Sequence, residues 1–262
     1  MRAAYLRAGN RPSRRRRETR LLTSPIVWVG LLFAALLLRM AALRPVLHRA
    51  FPGVSPVIYD RASFVELFLD HLQLVAIACL AASVLGVSLA VFVTRPAGRD
   101  FRTLVELVAA VGQTFPPVAV LAIAVPLIGF GARPTVIALF IYGLLPIIDN
   151  AVAGLEGVSP AVRDAADGMG LSPWQRLYAV ELPLAGPVIL AGIRVSVAIA
   201  IGTATIGSTV GALTLGTPMF DGLVADNLPF VIEGAVLVAL FAILTDMLFA
   251  VLDRRLRRHL PG

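Results

Sequence analysis

Few side chains in this sequence are of the types that carry out chemistry, and their placement argues against a reaction centre. The single cysteine, Cys79, lies inside an apolar run, so neither an intramolecular disulfide nor a cysteine metal site can form. His48, His71 and His259 are far apart in the chain and read as loop or interface residues rather than ligands. The carboxylates are dispersed, and no GxxxxGK[ST] loop is present to cradle a nucleotide. The remaining polar groups stand within or between strongly apolar stretches. Gln113 and Thr114 precede the pair Pro116-Pro117, Thr203, Thr205 and Ser208 share one hydroxyl-rich run, and Arg194 is a lone charge in the same run. Polar groups at bilayer depth mark pathways, and an uncharged lining suits a small neutral or zwitterionic solute.

Each of these features also has a plainer reading. Pro116 and Pro117 remove two backbone donors near the middle of an apolar stretch, which lipid cannot replace. A broken helix of this kind lines a cavity or is a kink packed against its neighbours, and the adjacent Gln113 and Thr114 favour the cavity. Gly207 and Gly211 form a GxxxG pair, whose first reading is close helix packing. Arg194 lies 11 residues beyond Pro183, roughly 16 Å along a helix at about 1.5 Å per residue. At a cost of about 2.5–3.5 kcal/mol it either pairs inside the bundle, with Asp246 as the candidate partner, or snorkels to the headgroups.

The elements that must position these groups are membrane spans. The chain has 262 residues, 58% of them hydrophobic, with a mean hydropathy of +0.86. Several runs approach the ~20 apolar residues that cross a bilayer. This predicts an all-α integral membrane protein, with a basic tail over 1–24 and a first span over 25–44. A signal peptide is disfavoured because no small-x-small cleavage site follows. An external linker is expected over 45–62. Further spans are expected at Ser63–Val93, Thr103–Ile128 (interrupted by Pro116-Pro117 and Pro126), Thr135–Ile148, Pro187–Gly211 and Val231–Leu252, then a basic tail over 253–262.

Arginine placement sets the expected orientation. All 23 basic residues are arginine: eight in 1–24, three between the second and third spans, two between the fourth and fifth, and four in the C-terminal tail. The opposite side carries five (Arg39, Arg44, Arg49, Arg61 and Arg133), and the loop Thr214–Pro229 carries none. By the positive-inside bias both termini are cytoplasmic. The same placement turns a pI of about 10.8 away from nucleic acid and toward topology, with the N-terminal tail touching anionic lipid.

The segment Asp164 to Pro183, DAADGMGLSPWQRLYAVELP, is polar between apolar spans. Ala165 and Ala166 favour helix and allow close approach, Gly168 and Gly170 can turn the chain, and Ser172-Pro173 reads as the cap and first residue of a second short helix. Trp174 and Tyr178, four apart, share a face. The spacing Asp164-Ala165-Ala166, Gly170, Val180, Leu182-Pro183 resembles the EAA-x3-G-x9-[IV]-x-LP signature of membrane subunits of bacterial ABC importers, with Asp in place of Glu. The segments Gly112–Pro117, Ala138–Asn150 and Val180–Thr205 look like the branch that imports osmoprotectants such as glycine betaine, choline and carnitine. The likeness covers roughly residues 60–252.

The resemblance implies a type I importer permease fold with five core spans plus one N-terminal span, in a bacterial inner membrane. It implies that 155–183 couples the spans to separate ATPase subunits, which carry the ATP and Mg, with no cofactor on this chain. It further implies an extracytoplasmic solute-binding protein and a second permease subunit. Where many members read GAGGLG, this chain reads Gly211-Ala-Leu-Thr-Leu-Gly216, which leaves an amino acid or a phosphonate open as the solute. An ion-coupled secondary transporter is the rival class. It would show inverted repeats and intramembrane carboxylates, and neither is evident.

Overall fold

The structure is a computed structural model that describes residues 25–258; the expected basic tail over 1–24 and His259 lie outside the described residues. Apolar composition over stretches longer than a bilayer's thickness makes helices with few polar faces, and no strand occurs among the described residues. Helix α1 (Pro25–Arg39) runs through a 3-10 turn, Met40–Leu43, into α2 (Arg44–Ala50), so the first span is helical to Ala50 and the linker is shorter than expected. Helix α3 (Phe64–Val93) starts on Ser63, whose hydroxyl accepts from the Glu66 N–H at 3.1 Å.

The third expected span is two helices, α4 (Arg102–Thr114) and α5 (Pro117–Ile128), at 93° to each other. The break falls at Phe115-Pro116, where the chain is extended. Pro126, expected to interrupt the span again, is instead carried inside α5. Helix α6 (Ala132–Glu156) outruns its expected bounds at both ends. Two short helices follow, α7 (Pro160–Gly168) and α8 (Pro173–Arg176). A π turn, Leu177–Glu181, leads without a gap into α9 (Leu182–Ala204) and a 3-10 turn, Thr205–Val210. That span therefore begins well before Pro187. Helix α10 (Thr217–Val224) occupies what the sequence suggested was loop, and α11 (Leu228–Arg257) closes the chain. Among the described residues, five helical segments are long and apolar enough to cross a membrane, or six if the bent pair counts as one span.

Helix α6 is the hub: α3 and α9 pack on it, as do α4 and α5. The contacts are close because small residues face each other. A Cβ on Gly143 would lie 2.5 Å from Ser196 Oγ, and one on Gly192 would lie 2.6 Å from the Pro146 carbonyl. In lipid, where burial between helices gains little from water exclusion, such backbone approach supplies the packing energy. The GxxxG pair splits between two jobs. Gly207 lets the 3-10 turn lie against Thr135, and Gly211 ends it in the left-handed region at φ +83°.

At the start of α3, His71 is buried rather than at a loop or interface as expected. Its Nδ1 accepts from the Leu215 N–H at 3.3 Å and its Nε2 donates to the Ile201 carbonyl at 3.1 Å. It thus ties α3 to α9 and to the segment before α10. The 51–63 linker is strapped nearby. The Tyr59 N–H donates to Glu233 at 3.0 Å, and Asn227 donates to the Pro56 carbonyl at 2.8 Å. The Tyr59 phenol donates to Asp221 at 3.2 Å, and burial together with that carboxylate pushes its pKa up to about 12.

Candidate functional site

The polar segment between α6 and α9 is built as a rigid double turn. Ser159 and Pro160 start α7, and Gly170 ends it at φ +80°. The Gly170 N–H donates to the Asp167 carbonyl at 2.9 Å and the Leu171 N–H to the Ala166 carbonyl at 3.2 Å, a Schellman closure that only a residue tolerant of positive φ completes cheaply. Gly168, also expected to turn the chain, remains helical. Ser172 then caps α8 reciprocally with Gln175: Ser172 Oγ accepts from the Gln175 N–H at 3.3 Å, and the Gln175 side chain accepts from the Ser172 N–H at 2.8 Å.

Ala165 and Ala166 differ in exposure. Ala166 is buried against the body of the protein, whereas Asp164, Ala165, Gly168 and Gly170 are exposed. The Trp174 and Tyr178 rings stack at 6.2 Å and are 64% and 65% exposed, with Met169 beside them in sequence at 74%. The segment thus carries three large exposed apolar side chains on capped turns. Leu182 and Pro183 open α9.

Beneath this segment lies a charge cluster that sequence reasoning missed. The side chain of Glu181 is 2% exposed, and three arginines converge on it. Arg95 from the end of α3 pairs with Oε2, Arg176 Nε donates to Oε1 at 3.0 Å, and Arg163 Nε lies 3.8 Å from Oε1. Arg176 also pairs with Asp167, and Arg163 Nη2 donates to the Leu155 carbonyl at 2.6 Å. Arg102 at the start of α4 pairs with Glu106 and with Glu156 at the end of α6. The two turns are thus pinned to the ends of α3, α6 and α9. The signal was present in the sequence, since Glu181 is the only acid between Asp167 and Asp221. Its arginine partners, however, read in the sequence only as markers of sidedness.

Arg194 and Asp246 form a bidentate pair, Nε to Oδ1 at 2.5 Å and Nη2 to Oδ2 at 2.6 Å, joining α9 to α11. With side chains 38% and 50% exposed in this chain, the pair sits on the flank of the bundle rather than in its interior. Of the expected pathway residues, Gln113 donates to the Tyr142 carbonyl on α6 at 2.8 Å, and Thr114 bonds back to Val111 just before the Pro116-Pro117 break. Thr205 bonds the Gly202 carbonyl, and Ser208 bonds the Thr205 carbonyl and Thr214. Thr203, Thr205 and Ser208 are half-buried. Leu121 of α5, Ala138 of α6 and Val210 share one apolar cluster, so the broken helix and the 3-10 turn meet over α6. A recess of about 990 Å³ opens at the end of the bundle carrying Arg133 and is lined by Asp70, Gln73, Ile137, Gly211 and others, but by none of those seven pathway residues.

The structure thus combines a helical bundle, one broken span and a capped, exposed double turn between two spans. The chain belongs to the family of binding-protein-dependent transport system inner membrane components, which matches residues 82–258. It is 43% identical to the osmoprotectant import permease protein OsmY of Salmonella typhimurium, over 72% of this chain and 80% of that one. It is 38% identical to the choline transport system permease protein OpuBB of Bacillus subtilis (71% and 85% covered). Against the carnitine transport permease protein OpuCD of Listeria monocytogenes the identity is 36% (73% and 85% covered). Among solved structures, the inward-facing MetNI methionine ABC transporter superimposes with a TM-score of 0.66 at 20% identity, covering 73% of this chain and 95% of that one.

The fold is therefore the type I ABC importer permease fold. The protein is a multi-pass inner-membrane permease subunit that works with a separate ATPase and a solute-binding protein, and it is not itself an enzyme.

Proposed function

We propose that this permease carries a small quaternary-ammonium osmoprotectant of the glycine betaine and choline class. The observation that carries the reading is the identity of 36–43% to permeases named for osmoprotectants, choline and carnitine. Half-buried hydroxyls and an amide beside the broken span suit a bulky solute whose positive charge is spread over weakly hydrated methyl groups. Selection of the cation falls to the binding protein, because this chain has only 7% aromatic residues from which to build a cage.

In this reading both termini face the cytoplasm and a second permease, a copy or a paralogue, completes the pathway. The ATPase groove receives the turn bearing Asp164, Ala165, Gly170, Trp174 and Tyr178. ATP and Mg are bound by that partner, whose closure moves the turn and, through Glu181, the ends of α3 and α9. The Pro116-Pro117 break and the run from Thr203 to Ser208 line the route. The test is uptake of labelled glycine betaine or choline by the reconstituted complex, with dependence on ATP and on the binding protein. Competition by an amino acid or a phosphonate, and by neither of those two compounds, rejects the solute class and leaves the importer class standing.

A further inference from the structure

The ends of α3, α4 and α6 and the flank of α7 enclose a second cavity of about 270 Å³, lined by Arg95, Arg99, Arg102 and Arg163 with Glu156 and Glu181. We propose that this cavity is a binding site for a phosphate oxyanion, and that its occupant is the phosphodiester headgroup of an anionic lipid. The proposal rests on the cavity and its charges and not on the solute class. The lining carries four arginines and two carboxylates: Glu156 pairs with Arg102, which also holds Glu106, and Glu181 pairs with Arg95 and, beyond hydrogen-bond range, with Arg163. The Arg99 side chain has no partner among the described residues. Arg95 Nε and Arg163 Nε are buried without a hydrogen-bond acceptor. Buried guanidinium donors left unpaired beside a polar cavity are the mark of a missing anion, because planar N–H forks match phosphate oxygens.

The wall is also built for closeness. The loop from α3 to α4 folds back so tightly that a Cβ on Gly98 would lie 2.2 Å from the Phe92 carbonyl oxygen, which brings Arg95 and Arg99 to the same mouth.

Two observations favour lipid over a soluble anion. The cavity lies beside Val93 and Leu155, where two spans end, and that is headgroup depth. Exposed apolar side chains stand within three residues of its arginines in the chain: Phe92, Phe101 and Leu104 are 44%, 51% and 55% exposed, and the two rings lie 6.0 Å apart. Acyl chains would lie on these while the phosphate enters the cavity.

The full-length chain, purified with its partner subunits in neutral detergent, is titrated with phosphatidylglycerol and, separately, with phosphatidylcholine. Bound lipid is counted by native mass spectrometry. Phosphatidylglycerol should be retained in preference to phosphatidylcholine. Its affinity should fall about fivefold in Arg99→Gln and roughly twenty-five-fold in Arg99→Gln/Arg163→Gln, at about one basic side chain's worth per step. If the double variant does not fold, Arg99→Gln alone decides, since its side chain supports no contact. Equal retention of the two lipids, or equal retention by wild type and Arg99→Gln, overturns the proposal. A parallel titration with inorganic phosphate separates the sources: arginine-dependent phosphate binding without arginine-dependent lipid binding overturns the lipid and leaves a soluble oxyanion.

Discussion

Gly170 and Glu181 hold the double turn between α6 and α9 in different ways, and each can be removed separately. Gly170 adopts φ +80°, where an L residue costs about 1–2 kcal/mol and proline, fixed near −65°, cannot go at all. Proline would also delete the N–H that bonds Asp167. Gly170→Pro should therefore abolish binding-protein-stimulated ATPase activity in proteoliposomes while insertion remains normal, and unimpaired stimulation would refute the role of the turn. Glu181→Gln keeps the shape and leaves Arg95, Arg163 and Arg176 facing one another. Breaking a fully buried pair costs about 3–5 kcal/mol, and here roughly 2–3 is expected because the arginines are partly exposed. A lowered midpoint of thermal unfolding in detergent, with poorer stimulation per assembled complex, checks it.

At the scale of elements, α9 offers its own control. A Cβ on Gly192 would collide with the Pro146 carbonyl at 2.6 Å and Asn150 Cβ at 2.7 Å, whereas one on Gly202 meets nothing within 4 Å. Gly192→Ala should destabilise the detergent-solubilised protein by about 1–3 kcal/mol, the usual cost of overpacking. Gly202→Ala should be neutral or stabilising by about 0.4–1 kcal/mol, since it only restricts the unfolded chain. Equal unfolding midpoints for the two would show that α6 and α9 do not meet through small residues. The same scale explains why element ends were the least legible part of the sequence. The starts of α3 and α8 were readable because Ser63 and Ser172 bond locally to the residues they cap. The end of α6 and the start of the α9 span ran past their expected limits because polar residues there are held by partners far away in sequence, Glu156 by Arg102 and Glu181 by Arg95.

For the whole molecule, the arginine asymmetry predicts one orientation and makes it measurable. Ala161 on α7 and Ala225 after α10 are both exposed. As single cysteines in a Cys79→Ala background they should react from opposite sides of the membrane, Ala161→Cys from the cytoplasm. Ala225 is the better choice on its side, because the neighbouring Asp226 has φ +50° and a substitution there would be strained. Reaction of both from one face would reject the topology.

The class of this protein was determined by the sequence alone, because length of apolar runs, charge asymmetry and a long gapped motif are all local or one-dimensional quantities. So were the caps of the double turn, whose bonds join residues a few positions apart. Tertiary structure decided what those quantities cannot hold. It brought Arg95, Arg163 and Arg176 onto Glu181 across as many as 86 positions, made His71 a tie between three segments, and put the Arg194–Asp246 pair on the flank instead of inside. It also bent the third span by 93°, an angle that Pro116-Pro117 permits but that only packing of α4 and α5 on α6 sets. Long-range pairing depends on which helices become neighbours, and in a bundle packed through glycine and small side chains that choice is made by shapes meeting in three dimensions.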